Sequence, residues 1–271
     1  MPLRKPAVLA FSALLPAAVL PLAAQESAPN RNIHLTIGVN LQGRPAFEGA
    51  KGFAFAALPA GGLFIGPPSR KFSGTRDSIS FGIIDGGWYR FGPAASFKFP
   101  RRESSDRNLQ GLGKTQFAAE PGLFLDLFPA AWARLRAEFR HGVGGHHGLI
   151  ADFAADAFHS PWNGWTFSAG PRLSLADSRY ADKYFGVSAL QSQRSGLPRY
   201  SSSGGLRSAG FGGAISWQAT PAIDAKLYAE YDRLLSGFAR SPIVTQRGSA
   251  NQLTFGLKTT YSFDTGLKSP F

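Results

Sequence analysis

Residues 131–140 read Ala131-Trp132-Ala133-Arg134-Leu135-Arg136-Ala137-Glu138-Phe139-Arg140. Ala131, Ala133, Leu135, Ala137 and Phe139 alternate with Arg134, Arg136, Glu138 and Arg140. A period of two sends the two sets to opposite faces of a strand. Wound as a helix, the same residues would place charge on every side and leave no apolar stripe. The stretch is therefore a strand with one oily and one charged face, a pattern that suits a wall between lipid and water.

The alternation recurs along the chain. Ile223, Ala225, Leu227, Ala229 and Tyr231 alternate with Asp224, Lys226, Tyr228, Glu230 and Asp232. Leu253, Phe255, Leu257, Tyr261 and Phe263 share one face of 251–263, opposite Thr254, Lys258, Thr260 and Ser262. Segments 33–41, 89–99, 165–173 and 210–218 repeat the pattern, 114–127 and 147–158 follow it less cleanly, and 51–58, 61–66 and 78–83 are the faintest. Together they predict about twelve strands, an even number as bacterial outer-membrane barrels have. Tight links are expected at Pro59-Ala60-Gly61, Asp85-Gly86-Gly87, Phe128-Pro129-Ala130, Ser160-Pro161-Trp162-Asn163 and Thr220-Pro221. Longer polar links are expected at 42–50, 67–77, 100–113, 174–204 and 236–250, with a short glycine-rich one at 143–146. Alternation of short and long links predicts a closed, all-β, antiparallel transmembrane barrel, with turns in the periplasm and loops outside. Trp88, Trp132, Trp162, Trp165 and Trp217 all fall beside the predicted turns, where an interfacial girdle belongs.

Composition fits the same class. Charged residues make up 17% of the chain, below the roughly one quarter usual in soluble domains. At the N-terminus, Arg4-Lys5, the apolar run Ala7–Leu22 and the small pair Ala23-Ala24 read as a signal peptide over 1–24, leaving 25–271 as the barrel domain. There is no cysteine, which excludes a lipoprotein anchor, a disulfide framework and a thiolate metal site. The net charge of +12 comes largely from predicted loops: Arg70, Lys71, Arg101, Arg102, Arg107, Arg194, Arg199, Arg240 and Arg247. In an exported protein, nucleic acid is not the expected counter-charge. Outer-membrane lipid and anionic lipopolysaccharide are, beside the plainer reading of ordinary solvated loop charge.

No catalytic, cofactor-binding or metal-binding residue is assigned, and no cofactor is expected. A barrel hydrolase would need a Ser-His-acid set. Candidates would be His141, His146 and His147 beside the Gly142–Gly145 turn, with Ser208 or Ser236, but there is no G-x-S-x-G elbow. The inward face carries Arg90, Lys98, Arg134, Arg136, Arg140, Arg172 and Lys226 against Glu120, Asp126, Glu138, Asp152, Asp156, Asp224, Glu230 and Asp232. Buried charges must be paired, so this near-match favours a salt-bridged plug over a small conducting pore. The 174–204 loop joins Tyr180, Tyr184, Phe185 and Tyr200 to Arg179, Lys183, Arg194 and Arg199. That content suits either a glycan or lipopolysaccharide phosphate, or inward packing of the loop, and packing is the favoured reading.

Ala176-Asp177-Ser178-Arg179-Tyr180-Ala181-Asp182-Lys183-Tyr184-Phe185-Gly186-Val187-Ser188 resembles a signature of the MipA/OmpV family, and Ser195-Gly196-Leu197-Pro198-Arg199-Tyr200 continues it. Tyr231-Asp232-Arg233-Leu234-Leu235, Ser241-Pro242-Ile243-Val244 and Pro45-Ala46-Phe47-Glu48-Gly49 are similar to further family blocks, and the likeness weakens over 50–110. Members generally end at a Y-x-F, here Tyr261-Ser262-Phe263, whereas this chain continues to Phe271. The resemblance implies an outer-membrane barrel without enzymatic activity. It also implies a scaffold for peptidoglycan-remodelling enzymes, with a lytic transglycosylase and a penicillin-binding protein as periplasmic partners. Short turns leave little periplasmic surface for them, because a specific interface buries on the order of 800 Å² per partner.

Overall fold

The alternating stretch lies in a strand, β7 (Ala133–His141), paired antiparallel to its neighbours on both sides. The computed structural model describes residues 32–65 and 72–268. In chain order, the preceding strands are β1 (Asn32–Pro45), β2 (Phe53–Ile65), β3 (Ile79–Ser80), β4 (Ile84–Asp85), β5 (Tyr89–Lys98) and β6 (Ala118–Ala130). Those following β7 are β8 (Val143–Gly144), β9 (Leu149–Trp162), β10 (Trp165–Ala176), β11 (Gly205–Gln218), β12 (Ile223–Leu234) and β13 (Asn251–Lys268). The order across the sheet is β2-β1-β13-β12-β11-β10-β9-β7-β6-β5-β3. Two segments are in-line extensions: β4 follows β3 along β5, and β8 follows β7 along β6. The thirteen segments therefore fill eleven places, and the sheet curls until β2 approaches β3, forming a nearly closed barrel.

Outward residues are apolar and exposed, as a lipid-facing wall requires: Leu123, Leu135, Phe139, Phe211 and Leu257 are examples. Every tryptophan is exposed at the turn end, where Trp165 stacks on Trp217 with ring centroids 5.8 Å apart. No helix among the described residues is long and apolar enough to cross a membrane; the crossing elements are strands.

Two links differ from expectation, and they explain one another. Pro59-Ala60-Gly61 is not a turn: β2 runs unbroken through it, with Pro59 opposite Val39 and Gly61 opposite Ile37. Proline survives here because β2 has a ladder on one side only, so its missing N–H can face the unpaired edge. Gly61 has φ +149°, and a Cβ there would meet the Thr36 carbonyl oxygen at 2.1 Å. Merging 51–58 with 61–66 reverses the sense of the next link. β2 thus ends at the turn end, not among the outer loops. Because Ile79 pairs with Ala95, high on β5, the chain from β2 must climb back before β3 begins. Its described part, 72–78, climbs inside the barrel. The signal-peptide reading of 1–24, with Arg70, Lys71 and Phe271, lies outside the described residues.

The remaining long links gather at the loop end and carry helices α1 (Ser178–Phe185), α2 (Ala189–Ser195), α3 (Ser236–Arg240) and α4 (Pro242–Arg247). Asp177 caps α1 by accepting from Tyr180 N at 3.0 Å, and a Ser188/Gln191 capping box starts α2.

Leu123 sits mid-strand on the lipid face of β6. Leu123→Arg is expected to cost about 2–4 kcal/mol in urea titrations of protein refolded into vesicles. Leu190→Arg, on an exposed helical surface, should change stability by less than about 0.5 kcal/mol.

Candidate functional site

The inward face of β7 carries three arginines and one glutamate within seven residues, a local excess of positive charge that its neighbours must answer. Arg134, fully buried, is held bidentately by Asp77 at 2.6 and 3.0 Å and by Asp156 at 2.7 Å. Arg136 donates to Asp126 at 3.1 Å and Glu138 at 2.7 Å, and lies 4.3 Å from the Phe124 ring centroid. Arg140 is shared among Glu120, Glu138 and Asp152. On β12 the excess is negative: Glu230 and Asp232 both pair with Arg76.

Arg76 and Asp77 are therefore a two-way bridge. Arg76 meets the acidic strand and Asp77 the basic strand. The rest of 72–78 follows suit. Lys226 donates to the Ser73 carbonyl at 2.7 Å, Thr75 bonds Glu230, and Ser78 bonds Glu138 while accepting from Arg140 at 2.9 Å. Phe72 stacks on Phe158 with centroids 4.6 Å apart and lies 5.0 Å from the Arg134 guanidinium. The lumen is occupied by this segment and its ion pairs.

Sequence pattern placed every other member of the inward ladder on the correct face; Asp224 is half-buried, and the rest line the lumen. It missed Glu48, Arg76, Asp77 and Arg207. Three of these lie in links, where no period marks a face. Arg207 lies beside the register shift between Ser174 and Leu175, which breaks the period.

Above the plug, four loops build a lid with its own apolar core. Tyr180, Ala181, Tyr184 and Phe185 of α1 pack against Phe238 and Val244, with Phe185 and Phe238 rings edge-on at 5.2 Å. A second cluster joins Phe47, Leu109, Leu112, Val187, Leu197 and Ile243. The aromatic content of the 174–204 loop is thus spent on packing, and Tyr200 donates to the Gly237 carbonyl at 2.6 Å. Two of the basic loop residues tie loops together rather than face solvent freely. Arg101 donates to the Tyr184 carbonyl at 2.9 Å, and Arg247 to the Asn108 and Gln110 carbonyls. Arg102, Arg107, Arg194, Arg199 and Arg240 are exposed.

Glu48 fastens the lid to the barrel, accepting from Lys98, from Tyr180 Oη at 2.7 Å and from Arg207 at 3.0 Å. Burial pushes its carboxyl up, but Lys98, Arg207 and the hydrogen bonds outweigh that and hold it down at about 2. The Tyr180 hydroxyl moves the other way, raised by burial and by the Glu48 charge.

The histidines do not form a catalytic set. His146 is buried, 3.0 Å from Glu120 and edge-on to Tyr180 and Tyr184, whereas His141 and His147 are exposed. Among the described residues neither Ser208 nor Ser236 bonds to any of them, and no group of three or more acidic or histidine side chains is placed to hold a metal.

A family model described as "MltA-interacting protein MipA" matches residues 37–263. The chain belongs to the MipA family. No curated protein matches it in sequence. Among solved structures, this MipA-family chain is similar to the NanC porin at 9% identity and TM-score 0.40, covering 84% of this chain and 98% of that one. It is also similar to Neisserial surface protein A at 10% identity and TM-score 0.29, covering 85% and 97%. A third likeness is to the outer membrane protein OprG of Pseudomonas aeruginosa, at 8% identity and TM-score 0.31, covering 88% and 99%. No residue correspondence follows from likenesses this distant. The MipA-family chain is an outer-membrane β-barrel protein.

Removing one partner of a buried ion network strands the others. Arg134→Met is expected to cost about 3–5 kcal/mol in urea titrations, because Asp77 and Asp156 lose their shared cation. Glu48 titrates lower in the fold than its ordinary 4.5. Its contribution is therefore fully present above about 4.5 and lost as pH falls toward about 2. Amide-exchange protection of α1, corrected for intrinsic rates, should hold from neutral pH down to that window and then drop. Glu48→Gln should abolish the drop.

Proposed function

We propose that this protein is a non-conducting, non-enzymatic outer-membrane barrel that serves as a scaffold for peptidoglycan-remodelling enzymes. The observation that carries the non-conducting part is the occupied lumen. Arg76 and Asp77 neutralise opposite walls of the barrel from within, and moving the segment would strand several buried charges at once. A small solute pore, the rival reading, needs that segment elsewhere. The family description supports the scaffold part, since it names a protein that interacts with MltA, a lytic transglycosylase. A penicillin-binding protein would be the second partner. Both would meet the turn end, where the links at 86–88, 131–132, 163–164 and 219–222 are short. Contacts there must be spread over several turns and modest in area.

Two measurements separate the parts. Purified protein in planar bilayers at high salt should give no stepwise current; reproducible ohmic steps would establish a pore. Crosslinked envelopes should yield a lytic transglycosylase on pull-down, and its repeated absence would remove the scaffold role while leaving the plugged barrel.

A further inference from the structure

Among the described residues, Arg233 is the one strand arginine on the outer wall; the others share the lumen face. It follows Tyr231 on the outward parity of β12 and is exposed. Its register partner Asn251 accepts from Arg233 Nη1 at 3.1 Å and from Tyr231 Oη at 2.8 Å. No carboxylate pairs with Arg233 among the described residues. A charge on the lipid face costs least at the membrane interface, so Arg233 marks the headgroup level at the loop end.

Directly below it the wall is hollow. Phe255, four residues along β13 from Asn251 and so about 13 Å deeper, has Gly43 on one side and Ala229 on the other. Phe255 leans over Gly43, where a Cβ would meet the ring at 2.6 Å. Beneath that ring, Leu41, Ala57, Leu227 and Leu257 frame an apolar hollow of about 490 Å³, with Phe55 as its flank. Lys51, also exposed and without an ion-pair partner among the described residues, lies two residues before Phe53, whose ring is 5.8 Å from that of Phe255.

We propose that this groove holds an acyl chain of an acylated, phosphorylated glycolipid of the outer leaflet, with Arg233 on a headgroup phosphate. A guanidinium offers a phosphate two parallel donors, and the second cation at Lys51 suits a headgroup bearing more than one phosphate. Occupancy rests on the outer-membrane placement with loops outward. It does not depend on the scaffold role, so an empty pull-down leaves it intact.

Native mass spectrometry of the full-length protein, titrated in detergent with hexa-acylated bis-phosphorylated lipid A, tests this. We expect a saturable one-to-one adduct that a tenfold excess of phosphatidylglycerol does not displace. Arg233→Glu should weaken binding at least tenfold, and Ala57→Leu, which fills the groove, should do the same. Lys51→Glu, on an exposed loop that cannot compromise the barrel wall, should weaken it severalfold. Variants are compared only when they keep heat-modifiable migration on gels. Unchanged affinity in Lys51→Glu and in the folded wall variants would overturn the proposal, as would equal displacement by phosphatidylglycerol.

Discussion

A charge removed from water must find an opposite charge, and this barrel is organised around that requirement. The inward face of β7 has three arginines, a concentration that no single neighbouring strand balances. Asp126 and Glu120 answer from β6, and Asp156 and Asp152 from β9, yet Arg134 still takes its bidentate partner from the inserted segment. The acidic residues of β12 draw Arg76 by the same rule. The segment is thus the counter-charge that allows two oppositely charged walls to face one filled interior. Buried ion pairs are weak sources of net stability, because desolvation offsets much of their attraction. What they contribute here is selection of one arrangement: displacing the segment would separate Arg76 from Glu230 and Asp232, and Asp77 from Arg134.

The lid follows from a different force. Its two clusters are apolar and built mainly from loop residues, with Ile150, Ala176 and Leu234 joining from strand ends, so they draw on ordinary hydrophobic burial rather than on charge. Ion pairs then join the two regimes at a few points. Glu48 reaches from the lid side to Lys98 and Arg207 on barrel strands, and Arg207 continues to Asp152, itself a partner of Arg140. A connected polar path therefore runs from lid to plug through side chains that share carboxylates.

The parts legible in the sequence were those governed by local periodicity. Alternation in 131–140, 223–232 and 251–263 placed each side chain on its true face, and all five tryptophans marked the turn end. The 59–61 stretch carries the proline and glycine that ordinarily punctuate, and only the edge position of β2 makes them tolerable within a strand. The plug is hidden from sequence for the same reason. Arg76 and Asp77 look like solvated loop charge until the walls that they bridge are known, and those walls come from β7 and β12, far along the chain. Pairing across such separations leaves no spacing signal. The lid was partly legible, since the aromatic residues of 174–204 announced packing without naming Phe238 or Val244 as their partners.

A barrel whose interior is committed to its own side chains has three surfaces left for recognition: the lid, the rim of turns and the lipid-facing wall. The lid spends its buried aromatics on packing, and two of its arginines on backbone carbonyls of neighbouring loops. The turns are short and girdled by indoles that belong at the interface. On the wall, side chains usually offer lipid a uniform apolar surface, and selection favours no particular contact. One departure is where Gly43, Ala57 and Ala229 withdraw side-chain volume beneath an arginine that no carboxylate pairs among the described residues. Small residues there weaken strand packing and leave the wall thinner, a cost that lipid-facing β-structure otherwise avoids with bulky side chains. Such a hollow is balanced if something fills it, and in the outer leaflet the filler at hand is an acyl chain whose headgroup lies at the level of Arg233.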